Sequence, residues 1–305
     1  MSDRIKADLA LAFCTLIWGA TFVVVKDALA DASIFAFMAS RFVLAAVLMG
    51  ILSWRALRHL DRGTFRAGVQ IGCAMFAGYV FQTVGLKFTT PSKAAFITGF
   101  SVVLVPVMLG IFGTRRINAW VWAGALAALG GLYFLTVPAS GFARLNKGDL
   151  IAMGCAVMFA IHIILVGGYS RKHSVAALSF LQVATTAVLN LLAVPFLAAA
   201  KWELPRISWT ANFIWAVLIT AVGATVIGFT LQVWAQQHTT PSHTAILLSL
   251  EPVFAGITSF FVSHERLGAR ALAGAALVFA GILLAELLGP AQAAADSPGP
   301  VSGQN

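Results

Sequence analysis

The chain has 305 residues, 60% of them hydrophobic and 10% charged, with a mean hydropathy of +0.90. About a quarter of the residues of a soluble domain are charged, so this composition excludes a soluble globular protein and predicts a chain that lives in a lipid bilayer. The net charge of +9 does not point to nucleic acid, because Lys and Arg are spread over short connections rather than gathered on one face, and lipid head groups account for them.

Charges, prolines and polar clusters divide the chain into ten apolar segments. They fall at 7–26, 33–53, 66–86, 91–112, 118–137, 149–168, 174–198, 211–235, 241–262 and 268–288, each near the roughly 20 residues that cross a hydrocarbon core as a helix. The first follows Arg4 and Lys6 as a signal peptide would, but Trp18 and Lys26 replace a small-residue cleavage site, and it reads as the first span. Cys14, Cys73 and Cys155 lie inside predicted helices without a CxxC or His-Cys cluster, so they read as packing residues and no metal site is expected. The stretch 291–305 has too little apolar content to fold and is expected to be a disordered tail.

Thr-Thr-Pro-Ser occurs at 89–92 and again at 239–242. With an offset of 239 − 89 = 150 residues, Gly78 falls on Gly228, Gln82 on Gln232, Ala95 on Ala245, Gly124 on Gly274 and Gly131 on Gly281. Nearer the start of each copy the offset is 141, which puts Asp8 on Asp149, Cys14 on Cys155, Ser33 on Ser174 and Arg41 on Gln182. The shift from 141 to 150 means nine extra residues in the second copy, and the polar stretch 201–210 is the natural place for them. The expected fold is an all-α membrane protein of ten transmembrane helices, built as two five-helix repeats, 1–139 and 140–290. Five is odd, so the repeats are inverted.

Loop charge sets the expected orientation. With the N-terminus in the cytoplasm, the first repeat has eight basic residues inside (Arg4, Lys6, Arg55, Arg58, Arg62, Arg66, Arg115, Arg116) and three outside (Lys26, Lys87, Lys93). The bias is reversed in the second repeat, where Arg171 and Lys172 are inside and Arg144, Lys147, Lys201, Arg206, Arg266 and Arg270 outside, as in a copy flipped by its partner.

Several local strings carry a resemblance: Leu-Ile-Trp18-Gly19-Ala-Thr-Phe in the first segment, Arg41-Phe with Leu-Ala-Ala in the second, Gly85-Leu-Lys-Phe-Thr-Thr-Pro91-Ser-Lys-Ala before the fourth, Leu250-Glu251-Pro252-Val in the ninth and His264-Glu265-Arg-Leu after it. Taken in order over ten segments, they resemble the EamA family of the drug/metabolite transporter superfamily. The resemblance implies an inner-membrane exporter or facilitator of small metabolites, amino acids or drugs, with a central cavity lined mainly by segments one, three, four, six, eight and nine. The chain departs from that pattern after the fourth segment, where Gly113-Thr-Arg115-Arg116 stands in place of Gly-Glu, so that only the second repeat keeps the acid, Glu265.

Ionisable groups at a helix centre cost about 2.5–3.5 kcal/mol on insertion scales, so each needs a reason to be there. Arg41 either docks a substrate carboxylate through its planar fork of donors or locks the second helix in place. Glu251 is a proton-coupling candidate, or else it pairs with Arg41 or hydrogen-bonds beside the Pro252 kink. His162 binds solute or shuttles protons, or bonds a neighbouring helix, while Glu286, near the end of the tenth segment, is read as solvated. Gln82, Gln232 and Gln182 are candidate cavity amides, with interhelical bonding as the plainer reading. Trp18, Tyr79, Phe96, Phe229 and Trp234 are a candidate aromatic wall. Pro106 and Pro252 are candidate hinges. The Thr-Thr-Pro-Ser copies read as helix caps, or as helix starts that meet an anion at the cavity mouth.

The expected partners are a small-molecule solute, the bilayer and a proton gradient, with no cofactor. No GxxxxGK[ST] loop is present to feed ATP hydrolysis, and no GxSxG, HExxH or paired intramembrane aspartates support an enzyme. A nucleotide-sugar or sugar-phosphate exchanger needs several cations in the cavity, and a receptor needs an extramembrane domain.

Overall fold

The computed structural model describes residues 2–88, 94, 97–112, 117–137, 147–262 and 268–288. Its helices are α1 (Asp3–Asp31), α2 (Ile34–Leu57), α3 (Arg62–Phe88), α4 (Ser101–Phe112), α5 (Ala119–Thr136), α6 (Lys147–Tyr169) and α7 (Val175–Ala199). They continue as α8 (Ala211–Ala235), α9 (Pro241–Leu248), α10 (Glu251–Val262) and α11 (Ala269–Leu287). Among the described residues every named element is a helix, beside one isolated β-bridge between Ala32 and Ile207. Phe96, Glu265, the first Thr-Thr-Pro-Ser copy, the stretch 113–116, the side chain of Glu286 and the tail lie outside the described residues.

Six helices (α1, α2, α3, α6, α7 and α8) are long and apolar enough to cross a membrane, and Ile97–Phe112, Ala119–Leu135 and Ala269–Ala285 are shorter apolar helices. Helices suit this chain because every backbone N–H and C=O buried in lipid must be satisfied within its own segment. Side chains close several of the ends: Thr210 accepts from the Phe213 N–H, Thr240 from the His243 N–H, and Asn118 from the Trp120 N–H. The second Thr-Thr-Pro-Ser copy thus caps α9 as expected, with Pro241 in its first turn. Asp61 caps α3, accepting from both the N–H and the hydroxyl of Thr64, and these bonds hold its exposed carboxyl below the usual carboxylate range.

The ninth expected span is not one helix. Between α9 and α10 the Ser249 N–H bonds the Ile246 carbonyl and the Leu250 N–H bonds that of Leu247, two three-residue turns that interrupt the helix. The first copy breaks at the matching place, where the Phe100 N–H bonds the Ile97 carbonyl, and 250 − 100 = 150. Pro252 sits just beyond its break. Pro106 does not mark its own, for it lies inside the continuous α4, six residues past Phe100.

The two copies interleave. The largest interfaces join a helix of one copy to a helix of the other: α5 with α11, α3 with α6 and α7, α2 with α7, and α1 with α8 and α10. Exchanging the copies turns α1–α8 into α6–α3 and returns α2–α7 and α5–α11 to themselves, so the packing has a pseudo-two-fold axis. The two sequence halves therefore share extended interfaces and do not pack as two separate bundles. At the α5–α11 crossing, a Cβ on Gly124 would lie 2.6 Å from the Gly281 carbonyl oxygen, and one on Gly131 would lie 2.6 Å from that of Gly274. Under the 150-residue offset these two contacts are one contact repeated, and only glycine admits such an approach.

Eight of the nine extra residues precede the cap of α8, since 210 − 61 = 149 against 174 − 33 = 141. They form a connection that serves the first copy: the Glu203 carboxylate accepts the Ile34 and Phe35 N–H groups at the start of α2, at 2.9 and 3.0 Å. The ninth is not in the stretch 201–210 but inside α8, where Ile219–Ile227 is a π-helix. From its cap to the glycine crossing α8 runs 228 − 210 = 18 residues, whereas α3 runs 78 − 61 = 17 as a regular α-helix. Cys14 and Cys155 are buried as expected of packing residues, but Cys73 is exposed on the outer face of α3.

The glycine crossing predicts a position-specific cost. Gly281→Ala places a methyl 2.6 and 2.8 Å from backbone atoms of Gly124 and Ala128 and should destabilise the protein by about 1–3 kcal/mol, whereas Gly130→Ala, whose nearest neighbour is a Leu277 methyl at 3.5 Å, should be neutral. Thermal unfolding of the purified variants in detergent decides; equal midpoints would contradict the packing described.

Candidate functional site

Where the copies cross, a cavity of about 950 Å3, counted out to its mouth, opens between α1, α3, α6, α8 and the broken ends of α4, α9 and α10. Sixteen of its lining residues form eight repeat pairs: Trp18 with Phe159, Thr21 with His162 and Phe22 with Ile163 at offset 141, and Tyr79 with Phe229, Gln82 with Gln232, Thr98 with Leu248, Gly99 with Ser249 and Ser101 with Glu251 at offset 150. Val25, Thr83 and Leu86 also line it, but their mates Val166, Val233 and Gln236 are fully buried. The cavity therefore extends toward the ends of α1 and α3 at Asp31 and Phe88 and stops short of the opposite end.

That opposite end is closed by polar bonds. The Gln236 amide donates to the Ile163 carbonyl at 2.9 Å, the Gln237 amide to that of Ser170 at 2.6 Å, and Arg171 reaches the Gln237 and Thr239 carbonyls. Beside them the His243 ring meets the Asp8 carboxylate at 3.0 Å.

The walls at the crossing are aromatic. Gly78 faces the Phe159 ring and Gly228 faces the Trp18 indole, so each ring seats itself in a notch left by the other copy's glycine. Trp18 lies 5.2 Å from Phe229, Tyr79 lies 5.4 Å from Phe159, and Tyr79 and Phe229 meet across the pseudo-axis at 6.2 Å. Tilted and edge-on pairs of this kind contribute beyond the area they bury.

Polar groups break the symmetry. Arg41 is buried between the rings of Phe42 and Tyr79, with its guanidinium carbon 5.1 and 4.9 Å from their centroids. Its Nε donates to the Thr225 hydroxyl at 2.9 Å and an Nη to the Tyr79 hydroxyl at 3.2 Å. Gln182, its repeat mate, does not line the cavity; its amide oxygen meets His162 Nε2 at 2.8 Å and holds that ring edge-on to Phe159 and Phe229. Gln232, buried, donates to Gln236 at 3.3 Å.

Glu251 is the first residue of α10, just before Pro252, and borders the cavity. Among the described residues neither an ion pair nor a hydrogen bond joins it to Arg41, so the Arg41–Glu251 pair, one of the alternatives read from the sequence, is not formed, and Arg41 bonds Thr225 and Tyr79. The cavity thus presents a cation and a carboxyl separately, between aromatic walls.

Nine of the expected site residues line this cavity: Trp18, Arg41, Tyr79, Gln82, His162, Phe229, Gln232, Glu251 and Pro252. Trp234 does not; it is turned from the cavity, meets the His238 ring in a tilted contact at 5.0 Å and packs among the apolar side chains around Leu11 and Leu247. Two residues past Gln232 on a helix is a rotation of about 200°, which carries it to the opposite face. Phe159, Thr21, Thr98, Ser101 and Ser249 were not singled out from the sequence, although the repeat register already paired Phe159 with Trp18.

Comparison with known proteins places the chain. The sequence profile of the EamA-like transporter family matches residues 5–137 and again 146–287. An uncharacterized transporter of Archaeoglobus fulgidus is 37% identical over 93% of this chain and 87% of its own length. The uncharacterized transporter YvbV of Bacillus subtilis is 26% identical over 96% of this chain and 95% of its own. A solved crystal structure superposes with a TM-score of 0.75 at 19% identity, over 93% of this chain and 98% of that one, which is a likeness of fold. With its apolar helices, these matches make the chain a multi-pass membrane protein that belongs to the EamA-like transporter family.

Proposed function

We propose that this protein is a secondary transporter of the cytoplasmic membrane that exports or equilibrates a small organic solute by alternating access. In this reading the ten segments span the membrane as two inverted five-helix repeats, 1–139 and 140–290, with both termini in the cytoplasm. The observation that carries it is the repeat-paired cavity at the crossing, flanked by helices broken at matching positions. Discontinuous helices around a site near the bilayer midplane are a recurrent way to bind a solute and to switch its access.

With the N-terminus inside, the open end of the cavity faces outward and the Gln236, Gln237, Arg171 and Asp8–His243 bonds close the cytoplasmic end. The solute class follows from the lining. Five aromatic rings (Trp18, Phe22, Tyr79, Phe159 and Phe229) suit an apolar or ring-bearing body, Arg41 suits a carboxylate, and Glu251 suits an ammonium group or a proton, which together describe hydrophobic or aromatic amino acids and related zwitterions. A nucleotide-sugar or sugar-phosphate solute fits less well, because Arg41 is the one Lys or Arg side chain among the lining residues.

Counterflow in proteoliposomes tests the reading. Preloading hydrophobic and aromatic amino acids one at a time should drive entry of the labelled compound above protein-free vesicles for a subset of them, and a flat response across that set would remove the amino-acid assignment. Glu251 carries the proposed proton coupling. With Glu251→Gln, uptake driven by a pH gradient should fall to the gradient-free rate while exchange persists, and an unchanged response to the gradient in a folded variant would rule the coupling role out.

A further inference from the structure

The one residue that α8 has gained over α3 lies in the stretch Ile219–Ile227, and the bonds of this stretch reach two walls of the cavity. In a regular α-helix the Gly228 N–H would occupy the Ala224 carbonyl four residues back. Here it bonds the Gly223 carbonyl, five back, and the Ala224 carbonyl accepts the Trp18 indole N–H at 2.8 Å instead. The Thr225 hydroxyl donates to the Thr220 carbonyl, also five residues back, at 2.8 Å. A hydroxyl has a single hydrogen, so with that hydrogen given to Thr220 the oxygen can only accept from Arg41 Nε, at 2.9 Å. The first copy has neither device: the mate of Thr225 is Met75, in a regular helix, and the mate of Arg41 is Gln182, which turns to His162 of its own copy.

We propose that the residue gained inside α8 is a positioning device for the cavity's cation: the π-helical stretch turns the Thr225 oxygen onto Arg41 and frees the Ala224 carbonyl for Trp18, so that Thr225 sets the preference for solutes that carry a carboxylate. Two of the five N–H donors of the guanidinium are used on Thr225 and Tyr79, and its plane is fixed between two rings, which leaves the group oriented before a solute arrives. π-Helical turns are frequent at functional sites because they re-aim side chains and release carbonyls. The selectivity part of the proposal rests on the transport reading above; the positioning part does not.

Two measurements separate them. In the first, purified protein in detergent is treated with 4-hydroxyphenylglyoxal and the modification of Arg41 is followed by peptide mass spectrometry, with exposed Arg58 as the internal reference. Thr225→Val should raise the rate at Arg41 about tenfold relative to Arg58, the loss expected when a hydrogen bond to a charged group is removed. Thr225→Ser should behave as the parent, and deletion of Val222, which restores the register of α3, should behave as Thr225→Val. Parent-like labelling of Arg41 in a folded Thr225→Val variant overturns the proposal, whatever the deletion does.

In the second, counterflow compares phenylalanine with phenylalaninamide. Thr225→Val should raise the KM for the acid about tenfold and leave the KM for the amide unchanged, because only the acid needs the oriented cation. An equal rise for both would show a general loss of structure and overturn the selectivity part. A parent protein that carries neither compound would overturn it too, while the labelling result would still decide the positioning part.

Discussion

In hydrocarbon, apolar side chains gain nothing by exchanging lipid for protein, so helices associate where their backbones can approach one another closely. In this chain those approaches fall at glycines and run between the copies: Gly124 with Gly281 and Gly131 with Gly274, Gly19 against the Glu251 carbonyl, and Gly78 and Gly228 against the opposing rings. Each copy therefore lacks, by itself, the surfaces that hold its helices. The cavity is a consequence of that interleaving, for it occupies the crossing point where neither copy supplies enough side chain to fill the space, and the paired rings of Trp18, Phe159, Tyr79 and Phe229 form its walls.

The symmetry that builds the frame is broken where chemistry is needed. Mates at the same depth carry different groups: Tyr79 a hydroxyl where Phe229 has none, His162 where Thr21 stands, and Glu251 where Ser101 stands. Two insertions in the second copy serve the first. Glu203, in the longer connection before α8, caps α2, and the stretch Ile219–Ile227 holds Arg41 of α2 and Trp18 of α1. An unequal pair can close one end of the cavity while the other stays open, as Gln236 and Leu86 do, one sealed against Ile163 and the other at the wall.

Much of this was legible in the sequence because a repeat register is geometric information. The offset shared by Gly124 with Gly274 and Gly131 with Gly281 means that in paired copies a Gly124–Gly281 contact brings its mate Gly131–Gly274 with it, but that the two helices meet there at all is seen only in the structure. The same register contained the Trp18–Phe159 pair, but an indole and a phenyl do not look alike in a string, and the match is visible only once the glycines facing them are known. Trp234 was misplaced because residue type was weighed without helical phase. The break at Phe100 has no proline beside it, and the π-helical stretch of small and β-branched residues has the composition of any membrane helix. Only the count from cap to crossing, 17 residues against 18, discloses the extra residue, and that count needs the caps Asp61 and Thr210 to be located first.

The central claim is that one cavity at the crossing is reached alternately from two sides through repeat-related ends. Single cysteines placed by Leu86→Cys and Gln236→Cys, in a background with Cys14, Cys73 and Cys155 replaced, measure this most directly through their reaction with a membrane-impermeant maleimide added on either side. The account predicts that Leu86→Cys reacts only from the outer side and Gln236→Cys only from the cytoplasmic side, and that a transported solute shifts the two rates in opposite directions. Rates that rise and fall together, or both positions reacting from the same side, would contradict it.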